Sequence, residues 1–109
     1  MINKLIKDTL KPLGIPVDFH KRKEKATTYI TFFEYLQQGE SFSDDDEETT
    51  GHYIQVDVWS KVNYNSIVTQ VKELLGNVGF RRKSEYDLYE EETSVYHKVL
   101  RFFYVENLT

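Results

Sequence analysis

The sequence contains no cysteine, which removes disulfide frameworks, thiolate zinc sites and thiol nucleophiles together. That fits a reducing compartment without requiring one. Apolar runs are short, none approaching the length that spans a bilayer. The opening residues, from Met1 to Asp8, read as an amphipathic helix rather than a secretory leader. The expectation is a protein without membrane partners that stays in the cytoplasm where it is made. Glycine is scarce, and its five copies at 14, 39, 51, 76 and 79 form no phosphate-cradling loop. No Gly-x-Ser-x-Gly elbow surrounds a serine, and Ser60, Ser66 and Ser94 sit in ordinary loop or helix-start contexts.

What is present fits one domain of 109 residues, long enough to bury a core unaided by disulfides or a structural metal. The net charge of −4 is local in origin. Six of the eighteen acids, Glu40, Asp44, Asp45, Asp46, Glu47 and Glu48, lie in one run without a base, leaving twelve acids against fourteen bases elsewhere. Aromatics make up 15% of the chain, a bias toward strands and adhesive surfaces.

Periodicity supplies the elements. Ile2, Leu5, Ile6, Leu10 and Leu13 recur at helical steps, with Pro12 near the end and Gly14 suited to the left-handed position beyond it. Ile15–Phe19 is extended but carries Pro16, so it can only be an edge strand. Thr28–Leu36 is a strong strand, with Ile30, Phe32 and Leu36 on one face and Tyr29, Phe33 and Tyr35 on the other. Residues 38–51 lose all alternation and read as a long, flexible acidic loop. A clean strand follows over His52–Trp59. Asn63 then caps a helix carrying Tyr64, Ile67, Val68, Val71, Leu74, Leu75 and Val78 on one face, ended by Gly76 or Gly79. Phe80–Tyr89 alternates again, placing Phe80, Tyr86 and Leu88 opposite Arg81, Lys83, Glu85 and Asp87, and Val95–Val105 closes the chain as a strand. The expected fold is α+β: a mainly antiparallel or mixed sheet of four to five strands, with two helices on one face.

Chemistry is sparse. The acidic run has carboxylates for a hard cation but lacks the alternating spacing and central glycine of an EF-hand. A solvated loop, or a docking tether that carries Phe42 to a basic partner, explains it better. His20, His52 and His97 lack metal-ligand spacing, so surface or sheet-edge roles are expected, although His52 and His97 can approach across paired strands. A metal-dependent nuclease would need an acid and a lysine two residues apart, whereas Asp57 precedes Lys61 by four. Gly79-Phe80-Arg81 is only a fragment of an RNA-recognition signature. Arg81, Arg82 and Lys83 pair more simply with Glu85 and Asp87, or with the acidic loop of a neighbouring subunit. No catalytic, metal or cofactor site is expected, and the chain is read as a non-enzyme. A small nucleic-acid-binding or nuclease-like protein is the alternative.

Several stretches taken together carry a family texture. They are Thr28–Phe32 with Glu34-Tyr35, Phe42–Glu48, Tyr53–Lys61, Gly79-Phe80, Asp87–Glu90 with Thr93, Tyr96–Lys98, and Arg101-Phe102. This pattern resembles small structural proteins of long-tailed bacteriophages and prophages, similar to tail completion or head–tail joining proteins. The resemblance implies virion assembly: a six-fold ring between the tail tube protein and the head connector or stopper, made in the bacterial cytoplasm and carried into the virion. On that reading Tyr29, Phe33, Tyr35, Tyr53, Trp59, Arg81 and Arg82 supply subunit contacts. Glu40, Phe42 and the acids to Glu48 form the docking loop.

Overall fold

In the computed structural model, residues 2–23, 25–43 and 46–107 are described, with the backbone alone for 40–43 and 46–47. The stripe at the start of the chain forms α1, Ile2–Leu10, which tightens into a 3₁₀ turn over Lys11–Leu13. Pro12 sits where its missing N–H costs nothing. Gly14, at φ +70°, ends the turn by donating its N–H to the Lys11 carbonyl. The chain continues as β1 (Val17–Phe19), β2 (Thr28–Ser43), β3 (Asp46–Ser60), α2 (Asn65–Asn77), β4 (Arg81–Glu90) and β5 (Val95–Asn107).

The five strands form one sheet in the order β1-β2-β3-β5-β4. β1 runs parallel to β2 and the other pairings are antiparallel. The fold is α+β with a mixed sheet, as the pattern implied, and β1 is the expected edge. Register sorts the side chains: Ile30 faces Val58, Phe32 faces Val56, and Ile54 faces Phe102. Together with Leu100 these residues form one apolar face. Ile6 and Leu10 of α1, and Val68, Val71 and Leu75 of α2, pack on it. Both helices therefore cover the same side. Among the described residues no helix is long and apolar enough to cross a membrane.

The start of α2 lies slightly later than the Asn63 cap suggests. The Asn65 N–H donates to Asn63 Oδ1 at 2.9 Å, and Tyr64 occupies the capping position. Gly79, not Gly76, stops the helix. Its φ of +103° lets the Phe80 N–H return to the Leu75 carbonyl.

Two expectations fail for a common reason. Residues 38–51 are not a loop over their described length. β2 runs on to Ser43 and β3 begins at Asp46, with pairs such as Gln38–Gly51 and Phe42–Glu47. Asp44 and Asp45 lie outside the described residues. Alternation vanishes here because the ladder shifts register at Glu34/Leu36, Gly39/Ser41 and Ser41/Phe42, and each bulge reverses which face the next residue takes. The first bulge also moves Leu36 off the face of Ile30 and Phe32, leaving it 44% exposed opposite Tyr53.

A fourth shift, between Arg82 and Ser84, splits the charges expected on one face of β4. Arg82 joins Glu85 and Asp87 on the helix side, while Arg81 pairs with Phe103 on the other. Among the described residues, no third strand pairs with the hairpin beyond Thr49–Asn107. Sixteen residues at about 3.3 Å each make roughly 53 Å of strand, and the molecule's long axis is 53 Å. The hairpin sets that dimension.

Candidate functional site

Among the described residues, the other face of the sheet has no helix on it. Alternation and register direct Tyr29, Phe33, Tyr53 and Trp59 to that side, and Tyr35 joins them at its bulge against Tyr53. All five aromatics proposed as contact residues thus share one surface. Arg81 reaches the same face, whereas Arg82 lies opposite and bonds Glu85. The side chains of Glu40, Phe42, Asp46 and Glu47 are not among those described.

At the centre of this face lies a buried polar network that sequence reading missed. His97 Nε2–H donates to Asp57 Oδ1 at 2.7 Å, and Gln55 Nε2 donates to the same oxygen at 3.0 Å. Arg101 Nε in turn donates to Gln55 Oε1 at 3.2 Å. Trp59 stacks on His97 with centroids 3.6 Å apart, and its indole N–H donates to Thr31 Oγ1 at 3.0 Å. Asp57 is 4% exposed and His97 9%. Asp57 is therefore an interior strand residue. An imidazole hydrogen-bonded to a carboxylate has the parts of a general base, but this one is roofed by an indole. Its evident work is to fix the aromatic surface, because each polar atom is satisfied where it lies.

Cations finish the surface. The Arg22 guanidinium carbon lies 4.9 Å from the Tyr29 ring centroid, and that of Arg101 lies 4.9 Å from Tyr35. Lys83 Nζ sits 5.7 Å from both Tyr53 and Phe103. Such contacts hold cations loosely beside rings. Among the described residues, none of Arg22, Arg81, Lys83 and Arg101 has a carboxylate partner. On the helix side the pattern reverses: Lys72, Arg82 and Lys98 all pair with Glu85, and Lys98 also with Asp87.

His52 and His97 do not approach one another. His52 pairs in register with Tyr104 and His97 with Trp59, on opposite faces. Nor is His52 a surface group, being 5% exposed. Its Nδ1 bonds Glu34 and its Nε2 bonds Glu106 at 2.9 Å, which ties β2, β3 and β5 together near the root of the hairpin. Burial pulls this imidazole toward neutrality, but the bonds to Glu106 and Glu34 outweigh it and raise its pKa above the ordinary value. The carboxylates occupy opposite ends of the ring, so they do not converge on a common point. Among the described residues no group of three or more such side chains has the geometry to hold a metal ion. His20, at φ +66°, is exposed and lies parallel to Phe33.

The signals for these sites were weak but present. Alternation along β5 places His97, Arg101 and Phe103 on one side. Arg22 and Lys83 needed the β1–β2 connection and the β4 bulge, which sequence does not reveal. Comparison of the chain with protein-family models and with curated proteins finds no match.

Proposed function

We propose that this chain is a bacteriophage or prophage virion-assembly protein that completes the tail and joins it to the head by forming a ring. The observation that supports this reading is the helix-free aromatic face, fixed from beneath by the Asp57–His97–Trp59 network. Tyr35 and Tyr86 remain 40% and 43% exposed on it. Rigid, half-exposed tyrosines and a tryptophan over a satisfied polar layer are what a protein interface uses. A small-molecule site would instead be concave. Identical subunits close into a ring when one surface meets a different surface on the next copy through a fixed rotation. The hairpin that extends past the sheet gives each copy such a second surface. The tail tube protein and the head connector or stopper are the proposed neighbours.

The test is deletion of the gene from the phage or prophage that encodes it, followed by electron microscopy of the induced lysate. Filled heads beside separate tails are the expected result. Intact infectious particles would refute the assembly role.

A further inference from the structure

Between the β1–β2 connection, residues 20–27, and the end of β3 lies an open groove of about 460 Å³, lined by Arg22, Lys25, Ala26, Thr27 and Lys61. Lys21 and Lys23 stand beside these bases in the same connection. All five bases are exposed, and among the described residues none has a carboxylate partner. Glu24 is the only acid in the connection, and one carboxylate cannot neutralise five cations.

The backbone that carries these charges is pinned. The His20 N–H donates to the Phe32 carbonyl at 2.9 Å, and the Lys21 N–H donates to the Phe19 carbonyl at 2.8 Å, closing a tight turn at His20, whose φ is +66°. Asp18 is buried on β1, and its Oδ2 accepts the Lys23 N–H at 3.1 Å. On the other wall the Lys61 N–H donates to the Thr27 carbonyl at 3.2 Å, and the Thr28 and Ser60 hydroxyls bond at 2.8 Å. The Arg22 guanidinium rests against the Tyr29 ring. The groove is thus ordered before a ligand arrives, which lowers the entropy lost on binding.

We infer that this groove binds the phosphate backbone of a nucleic acid without reading its bases. The inference does not depend on the assembly reading above. Contacts to phosphate need cations and small polar donors, and Arg22, Lys25, Lys61 and the exposed Thr27 hydroxyl provide them. A protein partner would need an apolar anchor at the centre of the contact, and Ala26 is the only apolar residue lining the groove. A free phosphate metabolite would be better held by an enclosed pocket, whereas an open groove lets a polymer pass through. The net charge of −4 does not act at this corner. Its main source begins after Gly39, which the β2–β3 ladder sets eleven residues, or roughly 36 Å, beyond Thr28. That is several times the Debye length of about 10 Å at 0.1 M salt. Glu90, Glu91 and Glu92 lie at the β4–β5 turn, with β3 and β5 between β2 and β4.

The test is fluorescence anisotropy of a labelled single-stranded DNA of about 20 nucleotides, titrated with the full-length chain at several salt concentrations. Three groove bases predict a slope of log K against log salt of about −2, from about −0.7 per neutralised phosphate. Lys25→Ala combined with Lys61→Ala should weaken binding about tenfold at low salt and make the slope shallower by about 1.4. Lys7→Ala combined with Lys11→Ala removes the same charge from exposed positions at the other helix-side end of the chain and should change neither. Both groove lysines are exposed, so the urea midpoint should stay where it is, and Arg22→Gln gives an independent reading from the same groove. Four results would overturn the inference: no binding of the oligonucleotide by the natural chain, full binding by the Lys25/Lys61 variant, an equal loss in the Lys7/Lys11 variant, or binding of poly-glutamate or of anionic phospholipid vesicles as tight as that of the oligonucleotide. The assembly role is decided separately, by the deletion phenotype.

Discussion

Replacing Glu85 with Gln should loosen β4 from the body of the protein. No side chain of β4 is fully buried, so this edge strand has little apolar grip on the helix layer. Its hold comes from the ladder to β5 and from charge. Glu85 meets Lys72 of α2 and Lys98 of β5, both at 3.1 Å, as well as Arg82. Burial alone would raise its pKa, but Lys98, Lys72 and Arg82 together bring it down to about 2. Against the ordinary value of 4.5, that gap corresponds to about 3 kcal/mol for the ionised form. Screening at this partly solvated rim reduces it to about 1–2 kcal/mol. The folded pKa is depressed, so the stabilisation is present above 4.5 and is lost as pH falls toward 2. Urea unfolding followed through Trp59, the only tryptophan, should show E85Q less stable than the natural chain near pH 7. The gap should have shrunk by about half or more near pH 3. A gap that is absent at neutral pH, or unchanged by acid, would refute the reasoning.

Other positions give distinct signatures. His52 has a raised folded pKa, so its contribution is complete below the ordinary imidazole value and lost as pH rises through the higher one. Amide exchange at Val105–Asn107 should therefore speed up on that rise in the natural chain, and His52→Gln should abolish the pH dependence. Gly79→Ala should cost about 1–2 kcal/mol. A new Cβ would lie 3.5 Å from the Tyr104 ring, an ordinary contact, so the cost comes from the φ of +103°. Chemical denaturation measures it. Phe32→Ala should cost about 3–5 kcal/mol, because its ring is fully buried in the core between sheet and helices, and the same urea titration would show it.

The legible parts of the fold were those where one physical rule acted alone. Ile2 to Leu13 and Tyr64 to Leu75 each bury a single stripe, so helical spacing located both helices. Residues from His52 to Trp59 alternate without a bulge, so both faces of β3 could be read, and with them the side on which Tyr53 and Trp59 stand. The hairpin past Gln37 was hidden for the opposite reason. Its strands are joined by backbone pairing, and repeated register shifts erase the period that betrays a strand. The same effect at Lys83 separated Arg81 from Glu85 and Asp87. The His97–Asp57 pair spans forty residues of sequence; only the β3–β5 register sets those two side chains close together. The tight pairing of Glu85 and Asp87 was anticipated in kind, but Lys72 and Lys98, rather than Arg81 and Lys83, supply most of it.

The central claim is that the helix-free face is an assembly surface. The most direct measurement is complementation of the gene deletion with a Tyr35→Asp, Tyr86→Asp chain, both sites being half-exposed and outside the buried network. The account predicts a folded protein with a natural-like unfolding midpoint that leaves heads and tails unjoined. Full restoration of infectious particles by that variant would contradict it.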